Sequence, residues 1–159
     1  MSAHYKEPTV TNTLETLAPK FKKAVEDAIE ECNDAGLDAI VFETYRSKVL
    51  QELYYARGRT VIPPKNKVTN ASSNIYSWHG FYLACDVISK SKEWKRPESW
   101  FKQVADIFKS HGCKWGGDWK SKDLPHMQWG KCKPSPSDLA RTLLASQGIR
   151  AVWKAVGAD

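Results

Sequence analysis

Apolar residues recur at helical spacing through Phe21, Val25, Ala28, Ile29 and Cys32. Pro19 suits the first turn of that helix and Gly36 its stop, so the stretch predicts a packing helix. Leu37 to Thr44 reads as a strand around the short apolar run Ile40, Val41 and Phe42, and it delivers Tyr45 and Arg46 to its end. Ser47 then suits the N-cap of a helix to about Arg57 that carries Val49, Leu50, Leu53 and Tyr54 on one stripe. Residues 58–76 hold Gly58, Pro63, Pro64, Asn66, Asn70, Ser72, Ser73 and Asn74, a loop composition long enough to predict a functional rim over a groove. Leu83 to Ile88 predicts a buried strand, and after a charged connection over 90–96 Pro97 opens a helix to about His111. Its stripe is Trp100, Phe101, Val104, Ala105 and Phe108, which reads as core, and Gly112 is the stop. Cys113 to Trp115 is a short strand, Gly116-Gly117-Asp118 a turn, and His126 to Trp129 a returning strand. Ser135-Pro136-Ser137-Asp138 predicts a helix start with Pro136 in the first position. Two amphipathic segments follow, Leu139, Leu143 and Leu144, then Ile149, Val152, Trp153 and Val156, broken near Gly148 and expected to pack on the sheet. With residues 1–12 as a loosely held polar arm, the pattern is α+β, with a small central antiparallel sheet flanked by helices.

Composition narrows this picture modestly. The 159 residues fit one catalytic domain over 1–159, with 135–159 as a C-terminal helical segment. A content of 42% hydrophobic and 26% charged residues is that of a soluble globular protein. No apolar core of signal-peptide type follows Met1, and no run approaches membrane-spanning length, so synthesis in the cytoplasm is the expectation. Cysteines at 32, 85, 113 and 132 form no C-x-x-C pair, which argues for buried free thiols, with a Cys113–Cys132 bridge left open. The net charge of +6 favours anionic surfaces, but the Lys and Arg residues are scattered, and solubility explains the charge as well. No nucleic-acid partner is expected, and a monomer is the default.

The candidate chemistry lies in Ser77-Trp-His-Gly-Phe-Tyr-Leu-Ala-Cys-Asp86 and Asp123-Leu-Pro-His-Met-Gln-Trp129. His79, Asp86 and His126 offer two imidazoles and a carboxylate, a set that leaves a fourth position on zinc open for a reacting water. His79 and Asp86 are seven residues apart, and in one strand an odd separation would send them to opposite faces. A turn around Gly80 to Tyr82 must intervene. Asp86, flanked by Leu83, Ala84, Cys85, Val87 and Ile88, is costly to bury unless something positive meets it. Asp123, three residues before His126 and stiffened by Pro125, reads as a general base. His4 in the arm and His111 at a helix end are not ligand candidates. Arg46 at a strand-to-helix junction can face a cleft, or can be a surface arginine paired to Glu43 or Glu52. Trp115, Trp119 and Trp129 gather around the site in sequence, as wall or as support. A cysteine peptidase built on Cys85 is a poor alternative, because thiols in apolar strands are usually inert.

Ser77-x-His79, Ala84-x-Asp86 and Asp123-x-Pro125-His126, with Tyr45-Arg46, Gln51, Tyr54 and Gly58-Arg59-Thr60, resemble the zinc peptidases of bacterial cell walls. These are the D-alanyl-D-alanine carboxypeptidases and the L-alanyl-D-glutamate peptidases used as phage endolysins, and the resemblance extends over roughly residues 38–130 and into the C-terminal tail. It implies a Hedgehog-like fold, Zn2+ on His79, Asp86 and His126, and Asp123 as the base. It further implies Arg46 as a catalytic and substrate-binding residue, with Ser77, Gln51 and Trp129 as substrate contacts. The implied substrate is peptidoglycan, cut at the L-alanyl-D-glutamate bond by an enzyme that waits in an infected cell until a holin opens the membrane. D-alanyl-D-alanine carboxypeptidase action and a non-catalytic zinc-binding interaction domain are the alternatives. One departure is visible: the family usually has glycine five residues after the serine, where this chain has Tyr82, which suggests a turn shifted to Gly80.

Overall fold

A computed structural model describes residues 10–57, 59, 69 and 71–159. Four strands form one antiparallel sheet in the order β1-β2-β4-β3: β1 Ala39–Glu43, β2 Ala84–Ser89, β4 His126–Trp129 and β3 Cys113–Trp115. The helices are α1 Pro19–Asp34, α2 Lys48–Ala56, α3 Glu98–Ser110, α4 Asp138–Gln147 and α5 Ile149–Ala155. The α+β expectation and every long element hold. No helix among the described residues is long and apolar enough to cross a membrane.

Alternation along the strands separates the two faces of the sheet. Cys85 and Val87 of β2 and Met127 of β4 enter a core shared with Phe21 and Val25 of α1 and Phe101, Val104 and Phe108 of α3. Full burial of an apolar side chain of this size contributes about 1.5–3 kcal/mol. Asp86, His126 and Gln128 point the other way. The four cysteines are free and buried, so the Cys113–Cys132 bridge does not form.

Two details differ from the sequence expectation. The last residues of the N-terminal arm are tied down, since the Thr11 carbonyl accepts from both the backbone N–H and the hydroxyl of Thr44 (2.7 and 3.1 Å). Residues 1–9 lie outside the described residues, as do Gly58, Thr60, residues 61–68 and Asn70 of the expected rim. Helix α4 begins at Asp138 with Ser137 as its N-cap, the Ser137 hydroxyl accepting from the Ala140 N–H. Pro136 therefore precedes the cap instead of opening the helix.

Candidate metal centre

β1 carries a bulge between Val41 and Glu43. Val41 pairs with Val87 in the core, and an unbroken strand would keep Glu43 on that same face. The extra residue instead sets Glu43 opposite Asp86, an example of a bulge re-aiming a side chain beside a site. Glu43 is 1% exposed, and Arg46 closes over it with Nε and Nη2 both donating to Oε1. The Tyr54 hydroxyl donates to the other Glu43 oxygen at 3.2 Å.

His79 sits on a 3-10 turn, Trp78–Phe81, capped by Ser77, whose hydroxyl accepts from the His79 N–H at 3.3 Å. Ser77 thus orients the His79 segment. The reversal that brings the chain from His79 into β2 falls at Tyr82, with φ of 61°, and not at Gly80. Tyr82 is held there by stacking on Tyr45 at 4.3 Å between ring centroids. Gly80 serves a different need, close approach: a Cβ there would lie 2.1 Å from the Asn74 carbonyl oxygen.

Asp123 comes from the loop joining β3 to β4, closed by its own N–H donating to the Gly116 carbonyl at 3.0 Å. Gly116 has no room for a side chain, since a Cβ would stand 2.5 Å from the Asp123 carbonyl oxygen.

One ligand atom from each of His79, Asp86 and His126 lies within 4.8 Å of the others, and all three residues are buried. His79 Nδ1 donates to the Thr44 carbonyl at 2.8 Å, which leaves the Nε2 lone pair 3.4 Å from Asp86 Oδ1. His126 presents Nδ1, 3.8 Å from the same oxygen, while its Nε2 meets Gln128 Oε1 at 2.7 Å. Arg46 Nη2 reaches the second Asp86 oxygen at 3.5 Å. Each candidate ligand is therefore oriented by a polar partner behind it, as metal ligands commonly are.

The charges fit a divalent cation. Arg46 cancels Glu43, and Asp86 and Asp123 remain as two carboxylates on the cavity. Burial alone would push the Asp86 carboxyl up, but His79, Arg46 and His126 outweigh it and hold it well below the usual range. Partial burial in the cavity wall, and then the neighbouring Asp86 charge, push Asp123 up, although half of its side chain stays open to solvent. Burial, reinforced by His79, pulls His126 down to about 4, so its imidazole is neutral and free to ligate near pH 7.

These groups line a cavity of about 1150 Å³ together with Ser77, Phe42, Tyr76, Trp94, Trp119 and Lys120. Trp119 is the aromatic wall, its ring 4.9 Å from that of His126. Two expected substrate contacts are elsewhere. Trp129, three residues along β4 from His126, falls on the opposite face, and its indole N–H donates to the Val156 carbonyl at 2.6 Å. Gln51 is fully buried, accepting from Arg46 and donating to the Thr69 hydroxyl and the Ala71 carbonyl. Arg46 lines the cavity, yet its guanidinium is engaged by Glu43, Gln51 and Asp86, so the pairing with Glu43 holds in a buried form. Gln128 and the Thr44 carbonyl are the partners that sequence reasoning missed. For Gln128 a signal exists, because a polar residue two along a strand from a ligand shares its face.

A family model described as D-alanyl-D-alanine carboxypeptidase matches residues 70–129, the segment that carries all three candidate ligands and Asp123. The Bacillus subtilis (strain 168) peptidoglycan L-alanyl-D-glutamate endopeptidase CwlK is 29% identical over 124 residues, covering 70% of this chain and 72% of that protein. The L-alanyl-D-glutamate peptidase of Listeria phage A118 is 28% identical over 135 residues, or 81% of this chain but 43% of the phage protein. Among solved structures, that of the Serratia marcescens L-Ala D-Glu endopeptidase ChiX aligns with a TM-score of 0.52 at 22% identity, covering 73% of this chain and 82% of that one, a likeness of fold. Over residues 70–129 the chain matches the D-alanyl-D-alanine carboxypeptidase family model, and relatives named as L-alanyl-D-glutamate peptidases and a peptidase fold accompany that match, so the chain is similar to the peptidases of this family.

Proposed function

We propose that this peptidase is a zinc-dependent endolysin that hydrolyses the L-alanyl-D-glutamate bond of peptidoglycan. The observation that carries the reading is the convergence of His79, Asp86 and His126 within 4.8 Å beside Asp123, in a cavity large enough for a peptide. Zinc held by those three residues would supply a Lewis acid for the scissile carbonyl and lower the pKa of a bound water to about 7. Asp123 takes the proton of the attacking water and returns it to the leaving amine, so the carboxylate is regenerated with each turnover. Half of its side chain is open to solvent, which lets it meet substrate and water in a way the enclosed His126 does not. Ser77 fixes the His79 turn, and Arg46 holds Asp86 in place while cancelling the charge of Glu43. Arg57 and Lys120 bring positive charge to the lining, suited to stem peptides rich in free carboxylates.

The relatives named as L-alanyl-D-glutamate peptidases support the choice of bond, and the phage relative supports the lysis setting. That setting includes a chain made in the cytoplasm of an infected cell that reaches the wall after holin action, working as a monomer. The description of the matched family favours a second reading, D-alanyl-D-alanine carboxypeptidase action by the same residues. Purified peptidoglycan digested with and without a chelator, followed by zinc add-back and fragment mass spectrometry, separates them. New L-alanine C-termini and D-glutamate N-termini that depend on zinc support the proposal. New termini at D-alanine move the reading to the carboxypeptidase, and no cleavage with zinc bound leaves a binding domain.

A further inference from the structure

The Lys133 main-chain carbonyl lies at a junction behind the site. It accepts from the Trp78 indole N–H at 2.6 Å and from the Gln128 amide Nε2 at 2.8 Å. A carbonyl can only accept, so it decides which end of the Gln128 amide turns toward it. Oε1 is then the atom left facing His126, 2.7 Å from its Nε2. An amide oxygen also only accepts, so His126 must carry its proton on Nε2, and Nδ1 is left bare toward Asp86. Gln128 is fully buried, and no water competes for either end of its amide.

We infer that Gln128 is a positioning residue that sets the tautomer of His126, relaying the direction of the Lys133 carbonyl to the nitrogen that faces the metal site. The same carbonyl tethers Trp78, the neighbour of His79, so one acceptor ties the segments bearing both histidines. Nothing in the motif names this residue: its role follows from its place two along β4 and from which atoms can donate. The inference concerns the imidazole itself and draws on the zinc reading only for its affinity arm.

The test is long-range 1H–15N correlation of the His126 ring in the metal-free protein, beside zinc affinity measured by chelator competition. The wild type is expected to show the proton on Nε2. Gln128→Leu removes the acceptor, and the ring should move toward the Nδ1–H form or a mixture, with zinc affinity about 10- to 100-fold weaker, the usual cost of losing such a partner. Gln128→Glu keeps an acceptor toward Nε2 and should retain the tautomer, although a buried charge is the harsher change for packing. A wild type protonated on Nδ1 overturns the inference, and so does a Gln128→Leu protein that keeps the Nε2–H form. If Gln128→Leu does not fold, Gln128→Glu decides, because loss of the Nε2–H form there also overturns it. Absence of zinc binding in the wild type would instead sink the zinc reading and leave the tautomer result standing.

Discussion

Asp123 Oδ2 stands 3.9 Å from His126 Nδ1, but the Asp123 side chain is half exposed whereas that of His126 is 6% exposed. One residue is built to be enclosed and the other to meet what enters the cavity. Asp123→Ala is therefore expected to keep zinc and to lose about 10²- to 10⁴-fold in turnover, the usual contribution of a general base. His126→Ala should lose both. Zinc content by atomic absorption alongside the cleavage rate checks the pair, and equal zinc loss in the two variants would remove Asp123 from the role of base.

Arg46 is the bridge between Glu43 and Asp86, and its burial turns a surface argument into an interior one. Taking away the guanidinium leaves two carboxylates facing each other with little water, so Arg46→Met in the metal-free protein should cost about 3–5 kcal/mol, as broken buried pairs do. Replacing both partners, Arg46→Met with Glu43→Gln, should recover much of that loss. Urea unfolding of the two variants measures it. If Arg46→Met leaves stability unchanged and raises only KM, the arginine is a substrate contact after all.

Most of the fold was legible because its signals are local: helical stripes, a capping serine at 47 and glycine stops at 36 and 112. The convergence of His79, Asp86 and His126 was legible because an acid in an apolar strand is out of place without a partner and each histidine comes with a carboxylate at the spacing of the resembled motif. The bulge at Phe42, which sends Glu43 to Asp86, has no local signature, and so Arg46 could not be told from a surface arginine. Trp129 shows that nearness in sequence is a poor guide to a site: its odd spacing from His126 along β4 puts it on the far face, against Val156.

The thiols are expected to be silent. Burial pushes Cys32, Cys113 and Cys132 up to about 12, and Cys85 is raised well above its ordinary value by full burial, with Cys113 and Asp86 adding to it. Only the thiolate reacts readily, so near pH 8 the folded protein should show no fast-reacting thiol toward a disulfide reagent and four after denaturation. One fast thiol in the native state that, when blocked, also stops cleavage would revive a cysteine mechanism.

The turn that brings His79 to Asp86 separates two requirements that a single glycine often meets together. Tyr82 occupies the left-handed region at φ 61°, a conformation that costs a non-glycine residue roughly 1–2 kcal/mol. Its ring recovers part of that by stacking on Tyr45, and such pairs contribute about 0.5–1.5 kcal/mol beyond burial. Tyr82→Gly exchanges one term for the other and should keep zinc, with stability changed by about 1 kcal/mol or less once these opposing contributions are set against each other. Gly80 has ordinary φ and no such compensation, since a methyl group there meets the Asn74 carbonyl oxygen at 2.1 Å. Gly80→Ala must push the 74–76 segment or the His79 turn aside, and it should weaken zinc binding and lower the melting temperature more than Tyr82→Gly does. Thermal melts and chelator competition on both variants provide the comparison. The reverse order would mean that the family's glycine after the serine is needed for its dihedral freedom here too, and that stacking by Tyr82 does not replace it.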